Sequence, residues 1–227
     1  MKIGSIYHLN YQISDLNGDY LLKQISLSKL KRETDILIID DEDFPLLDDL
    51  KRHEFNIEYK SDITTLKDVE PYPIVLCDIH GIGKFLGSDK EGAYLVAKIK
   101  EKYPSKIVIS YTADTTSPSI QKYLHYADNV IPKGTSIEDW AALLTESVKN
   151  IANPVTMWKK IQRDLLNANV STRDVALLED KYVKAIKTGK YESLEKLNSG
   201  DNNTVVEILK LSIPLLVKIL SYIGESN

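Results

Sequence analysis

Five residues along this chain are of types that could share one reaction: the neighbours Asp40 and Asp41, then Asp78, Thr112 and Lys133. Each follows a short apolar run. Ile36–Ile39 leads to the acidic pair, Ile74–Cys77 to Asp78, Lys106–Ser110 to Tyr111-Thr112, and Asn129–Ile131 to Pro132-Lys133. Carboxylates gathered at one edge repel one another unless a divalent cation neutralises them. A hard cation held by one or two carboxylates, with coordination left for water and phosphate oxygens, describes Mg2+. A lysine supplies a point charge and a threonine a hydroxyl donor, both suited to oxygens that gain charge on a phosphoryl group. One carboxylate is then left to act as nucleophile. The pattern points to phosphoryl transfer.

The apolar runs are what must bring these residues together. Ile36–Ile39 and Ile74–Cys77 are continuously apolar, as strands buried on both faces of a parallel sheet are. Weaker strand signals lie at Asn56–Tyr59, Lys106–Ser110 and Asn129–Ile131. Helical spacing between them predicts helices over about Pro45–Arg52, Ile63–Val69, Lys90–Lys102, Ser117–Tyr126 and Glu138–Ile151. The fourth-strand-preceding helix should bury Ala93, Tyr94, Val96, Ala97 and Ile99, and Ser136 should cap the last. Five strands alternating with five helices predict an α/β fold, a doubly wound five-stranded parallel sheet. In such sheets the carboxyl ends of the strands converge where strand order reverses. After Pro154 no strand signal remains; Met157–Leu166, Thr172–Ile186, Tyr191–Leu197 and Thr204–Ile223 read as helices. Residues 1–33 read as an extension, with a short strand over Met1–Leu9 and a helix over Asp19–Leu30. Residues 34–153 form the α/β domain and 154–227 a helical region.

Together, Asp40-Asp41, Asp78, Thr112-Ala113 and Lys133 resemble the five-residue signature of the receiver domains of two-component response regulators. Intervals of 37, 34 and 21 residues separate Asp41, Asp78, Thr112 and Lys133, and the resemblance covers about residues 35–150. It implies a flavodoxin-like fold with strand order 2-1-3-4-5. It also implies that Asp78 is the phosphoacceptor, that Asp40 and Asp41 help hold Mg2+ with Asp78, and that Thr112 and Lys133 contact the phosphoryl oxygens. The donor would be a phosphohistidine on a partner histidine kinase or phosphotransfer protein. The chain departs from the family pattern in three places. The loop His80–Asp89 is longer than usual and lacks the customary proline, Val130 stands where many members carry a reorienting Tyr or Phe, and Gly134 replaces the proline after the lysine. His80, two residues beyond Asp78, is placed to modulate phosphate lifetime.

Other features bound the function. The net charge of −4 and the 11 Lys+Arg against 9 Asp+Glu in residues 154–227 argue against nucleic-acid binding. Cys77 is the single cysteine, which excludes an internal disulfide, and it reads as core. Nothing at Met1–Asn10 resembles a signal peptide, so a cytoplasmic location is expected. His8, His53 and His125 read as surface residues and Trp140 and Trp158 as packing residues; Gly81-Ile82-Gly83 lacks a phosphate-loop pattern. Thr204–Ile223 holds twelve Val, Ile and Leu in twenty residues, capped by Thr204 and Gly224 and kinked at Pro214. Glu207, Lys210 and Lys218 argue against a membrane span, leaving a homodimer through this helix as the expectation and membrane contact as a lesser one. The leading reading is a signalling protein whose phosphorylation controls self-association or partner binding. Two other readings stand beside it: a DNA-binding transcription regulator, and a degenerate receiver that serves as a phosphorylation-independent interaction module.

Overall fold

The computed structural model describes residues 9–87, 91–113, 118–196, 203–210 and 212–224. The chain divides into two compact units, Ser26–Ala152 and a second formed by Met1–Ile25 together with Asn153–Asn227.

In the first unit five strands, β1 (Asp35–Ile39), β2 (Asn56–Lys60), β3 (Ile74–Asp78), β4 (Ile107–Thr112) and β5 (Asn129–Pro132), form one sheet. All neighbours pair parallel, and the order is β2-β1-β3-β4-β5. This is the flavodoxin-like arrangement, with its switch of direction between β1 and β3. The continuous apolar runs are its cause: Ile36, Leu37, Ile38, Ile39, Ile74, Val75, Leu76 and Cys77 are all fully buried. Helices α2 (Leu27–Glu33), α3 (Leu47–Arg52) and α6 (Ile137–Ala152) pack together, while α4 (Glu91–Lys102) and α5 (Pro118–Leu124) pack with each other beside β3 and β4. Ser136 caps α6, its hydroxyl accepting the Asp139 N–H at 3.2 Å. In α4 the buried set includes Leu95, whereas Tyr94 is half-buried and meets Tyr123 edge-on at 5.7 Å.

Two helix expectations in this part of the chain change. Between β2 and β3 the sequence predicts a helix over Ile63–Val69, but only a 3-10 turn, Leu66–Val69, forms. Asp68 is drawn back to the N–H groups of Thr64 and Thr65, and Pro71 removes the donor that a further turn would use. The helix predicted over Asp19–Leu30 is two helices, α1 (Gly18–Leu22) in the second unit and α2, because the Ser26 hydroxyl accepts the Lys29 N–H and starts a new helix. The strand expected over Met1–Leu9 lies outside the described residues, except for Leu9, which is not in a strand.

The second unit is helical: α7 (Pro154–Asn167), α8 (Thr172–Lys187), α9 (Glu192–Glu195), α10 (Asn203–Lys210) and α11 (Ile213–Gly224) accompany α1. Trp158 stacks on Tyr182 with ring centroids 4.8 Å apart and donates to Glu179 at 2.7 Å. The N-terminal segment is fastened to α8 by backbone donors: Asn10 and Tyr11 N–H to Asp180 at 2.6 and 2.9 Å, and Ile13 N–H to Glu179 at 2.9 Å. The single kinked helix expected over Thr204–Ile223 is broken into α10 and α11. Pro214 stands in the first turn of α11, where no partner for its missing N–H is needed, so it marks a start and not a kink. Leu209, Ile213, Leu216, Ile219 and Leu220 are buried within this unit. Among the described residues no helix is long and apolar enough to cross a membrane.

At the opposite edge of the sheet from the chemistry, Lys106 is 4% exposed and donates to the carbonyls of Glu70 and Tyr72 at 2.8 and 2.7 Å. Burial pushes its ammonium down to about 8, against the pull of Glu70. The unfolded chain keeps that proton to near 10.5, so between the two values the unfolded state binds more protons and stability rises with pH. Denaturation midpoints should therefore show wild type gaining on the order of 3 kcal/mol relative to Lys106→Met between about pH 7 and about pH 10.5. A difference constant across that range would remove Lys106 as its source.

Candidate functional site

Parallel pairing determines which residues meet. β1 and β3 run side by side, so Asp40, one residue past β1, and Asp78, the last of β3, reach the same edge. One oxygen each from Asp40, Asp41 and Asp78 lie within 4.8 Å of one another. Asp40 and Asp78 are each 2% exposed, whereas Asp41 is exposed. From β4, Thr112 is fully buried, and its carbonyl accepts the Lys133 N–H at 2.9 Å, which sets Lys133 just beyond β5. The Lys133 ammonium then reaches Asp78 Oδ2 at 2.7 Å and stands 3.7 Å from Glu42. All five positions singled out in the sequence thus belong to one strand-end edge, in this geometry a cluster of hard oxygen donors beside a lysine. His80 is exposed, and Val130 is 39% exposed.

Electrostatics follow from burial. Desolvation raises the Asp40 carboxyl above its ordinary value, and the charge of Asp78 adds to this. The Glu42 N–H at 3.0 Å, the Tyr111 hydroxyl and Lys133 oppose it. For Lys133, burial works downward, but the hydrogen bond and charge of Asp78, with Asp40 and Glu42, outweigh it and hold the ammonium above its usual value. The Cys77 thiol, fully buried beside Asp78, is pushed far up and stays an inert core group.

Several residues that build the site escape sequence reasoning. Tyr59 donates its hydroxyl to the carbonyls of Asp40 and Glu42 at 2.7 and 2.8 Å, pinning the acidic loop. Tyr111 donates to Asp40 Oδ2 at 2.8 Å. Asp62 accepts the N–H groups of Gly83 at 2.7 Å and Lys84 at 3.3 Å, so the glycine-bearing loop after Asp78 is held from the end of β2. That loop places Lys84 3.8 Å from Asp41. Gly81, at φ +74°, lies so close under Asp41 that a Cβ there would stand 1.9 Å from its carboxylate oxygen. These glycines serve turns and close approach. A strand tyrosine or a loop aspartate carries no local signal of a partner 17 to 71 residues away, which is why pattern alone does not find them.

Comparison with known proteins places the fold in context. No protein-family model matches the sequence, and no curated protein matches it. Solved structures similar to this chain are receiver domains. A CheY-like response regulator receiver domain protein from Methanospirillum hungatei JF-1 is 24% identical, over 51% of this chain and 93% of its own, with a TM-score of 0.42. A response regulator from Burkholderia pseudomallei, with a phosphorylated aspartic acid, calcium ion and citrate, is 20% identical over 63% of this chain and 90% of its own, TM-score 0.41. One from Thermotoga maritima is 16% identical over 51% and 97%, TM-score 0.41. At these identities the likeness concerns the fold.

Gly92, on α4, is the tightest contact behind Asp78. Alanine would add about 1 kcal/mol of helix propensity. Its Cβ, however, would stand 2.2 Å from the Asp78 carbonyl oxygen and 2.9 Å from the Ile82 side chain. Backbone cannot yield cheaply, and overpacking of this kind costs about 1–3 kcal/mol, rising where backbone must move. Chemical denaturation should show Gly92→Ala less stable than wild type by roughly 1–2 kcal/mol. An unchanged or more stable variant would show that α4 can withdraw from the end of β3 at no cost.

Proposed function

We propose that the chain is a response-regulator-like signalling protein in which Asp78 accepts a phosphoryl group from a phosphohistidine on a partner histidine kinase or phosphotransfer protein. The observation that carries this reading is the meeting of three carboxylates within 4.8 Å, with a lysine 2.7 Å from the buried acid that ends β3. The donor set fits Mg2+: carboxylate oxygens only, two of them on buried residues and one exposed, so that water and phosphate oxygens can complete the shell. Asp40, Asp41 and Asp78 would hold it, and when bound it supplies charge neutralisation for the transferring phosphoryl oxygens.

In this reading a carboxylate oxygen of Asp78 forms the new O–P bond as the P–N bond of the phosphohistidine breaks, and the imidazole leaves with the electron pair of that bond. Lys133 shifts from its pairing with Asp78 toward the phosphoryl oxygens, and the Thr112 hydroxyl supplies a second donor to them. Burial of Asp78 and Thr112 keeps the dielectric low, which strengthens both contacts. The helical unit serves as output through self-association or partner binding; the half-buried Val205, Val206, Ile208, Leu215 and Val217 of α10 and α11 support such a surface.

With Mg2+ and a small-molecule phosphodonor, intact mass should rise by one phosphate in wild type and not at all in Asp78→Ala. Full labelling of the variant would falsify the assignment of Asp78. Sedimentation of the labelled and unlabelled full chain should show a larger species after labelling; identical profiles would exclude self-association as the output.

A further inference from the structure

One side chain links the acidic pair, the lysine and the aromatic residues beside them. The Tyr111 hydroxyl donates to Asp40 Oδ2 at 2.8 Å, reaching from β4 to the end of β1. The Lys133 ammonium lies 5.9 Å from its ring centroid. Its ring meets Phe44 edge-on at 5.4 Å and Trp140 at 5.8 Å, and those two rings meet each other at 5.7 Å. The same residues line a cleft of about 390 Å³ between the loop after β1 and the loop after β5.

Resting on the phosphoryl-transfer reading above, we propose that Tyr111 is a positioning residue that aims the Asp40 carboxylate for cation binding and relays the state of that carboxylate to Trp140. Asp40 is held by a donor on each oxygen, the Glu42 N–H on Oδ1 and the Tyr111 hydroxyl on Oδ2, so it cannot turn without losing one. Hydrogen bonds to a charged, buried acceptor are the strong ones, and outer partners of a metal-binding carboxylate orient it. On the other side, three rings packed edge to face at near contact do not deform independently; a shift of Tyr111 is felt by Phe44 and Trp140. Trp140 is 3% exposed, so its environment is set by these rings.

The test is a titration of Mg2+ into the full chain, followed by calorimetry and by indole fluorescence, with Trp140→Phe identifying the Trp140 contribution. Tyr111→Phe keeps the ring and loses only the hydroxyl. It should bind Mg2+ on the order of 10-fold more weakly and show no Trp140 change at saturation. Phe44→Leu leaves the hydroxyl bond in place; it should keep wild-type affinity within about twofold while its Trp140 response falls, since ring packing and not ligation is altered. Wild-type affinity in Tyr111→Phe, or a full Trp140 response in either variant, overturns the proposal and leaves the acidic site intact. A wild type with no affinity for Mg2+ sinks the reading of the acidic site and this inference with it.

Discussion

The site depends on a charge imbalance that the fold enforces. At a separation of 4.8 Å, two carboxylates repel by about 3–4 kcal/mol at an effective dielectric near 20, and three such pairs meet at the strand ends. Lys133 offsets one of the three charges closely, and Lys84 offsets Asp41 from a more exposed position. A net negative edge remains. It persists because the strands beneath it are apolar and fully buried, so the ends cannot separate without exposing the core. Hydrophobic burial, in other words, supplies the free energy that holds like charges together, and the leftover charge is what a cation would satisfy.

The two flanks of this edge are built differently. On the β4–β5 side the support is aromatic: Tyr111, Phe44 and Trp140 interlock, and every ring is nearly or fully buried. On the far side the support is backbone and carboxylate, with Asp62 holding Gly83 and Lys84 and Gly81 passing beneath Asp41. A packed aromatic wall resists displacement, while a loop held by a few polar contacts opens at lower cost. His80 and Lys84 lie exposed on the loop side, while Lys133 reaches Asp78 from the exposed start of the loop after β5.

The strands and the five strand-end residues were legible from local signatures, an apolar run and the polar residue that ends it, whereas the strand order was legible only through the family resemblance those residues carry. Ser136 was likewise placed to cap α6 by the same local chemistry. What was not legible depends on long-range approach. Tyr111 bonds Asp40 across 71 residues, and no spacing rule links them. The break between α10 and α11 turns on where Pro214 falls relative to a helix start, which apolar content does not reveal. The N-terminal residues gave weak signals because their partners, Glu179 and Asp180, lie at the other end of the chain.

That last pairing has a consequence for how the protein comes into being. The helical unit is made of two stretches separated by the whole of Ser26–Ala152, and the bond from Asn10 to Asp180 spans 170 positions. During synthesis the α/β unit has all its strands available once β5 and α6 emerge, and domains fold as they become complete. The N-terminal stretch must wait, unpartnered, until α8 leaves the ribosome. Closing so long a loop is slow but costs little extra free energy once a folded unit already occupies most of it. The N-terminal stretch therefore joins the helical unit last, after the whole of Ser26–Ala152 and then α8 have been made.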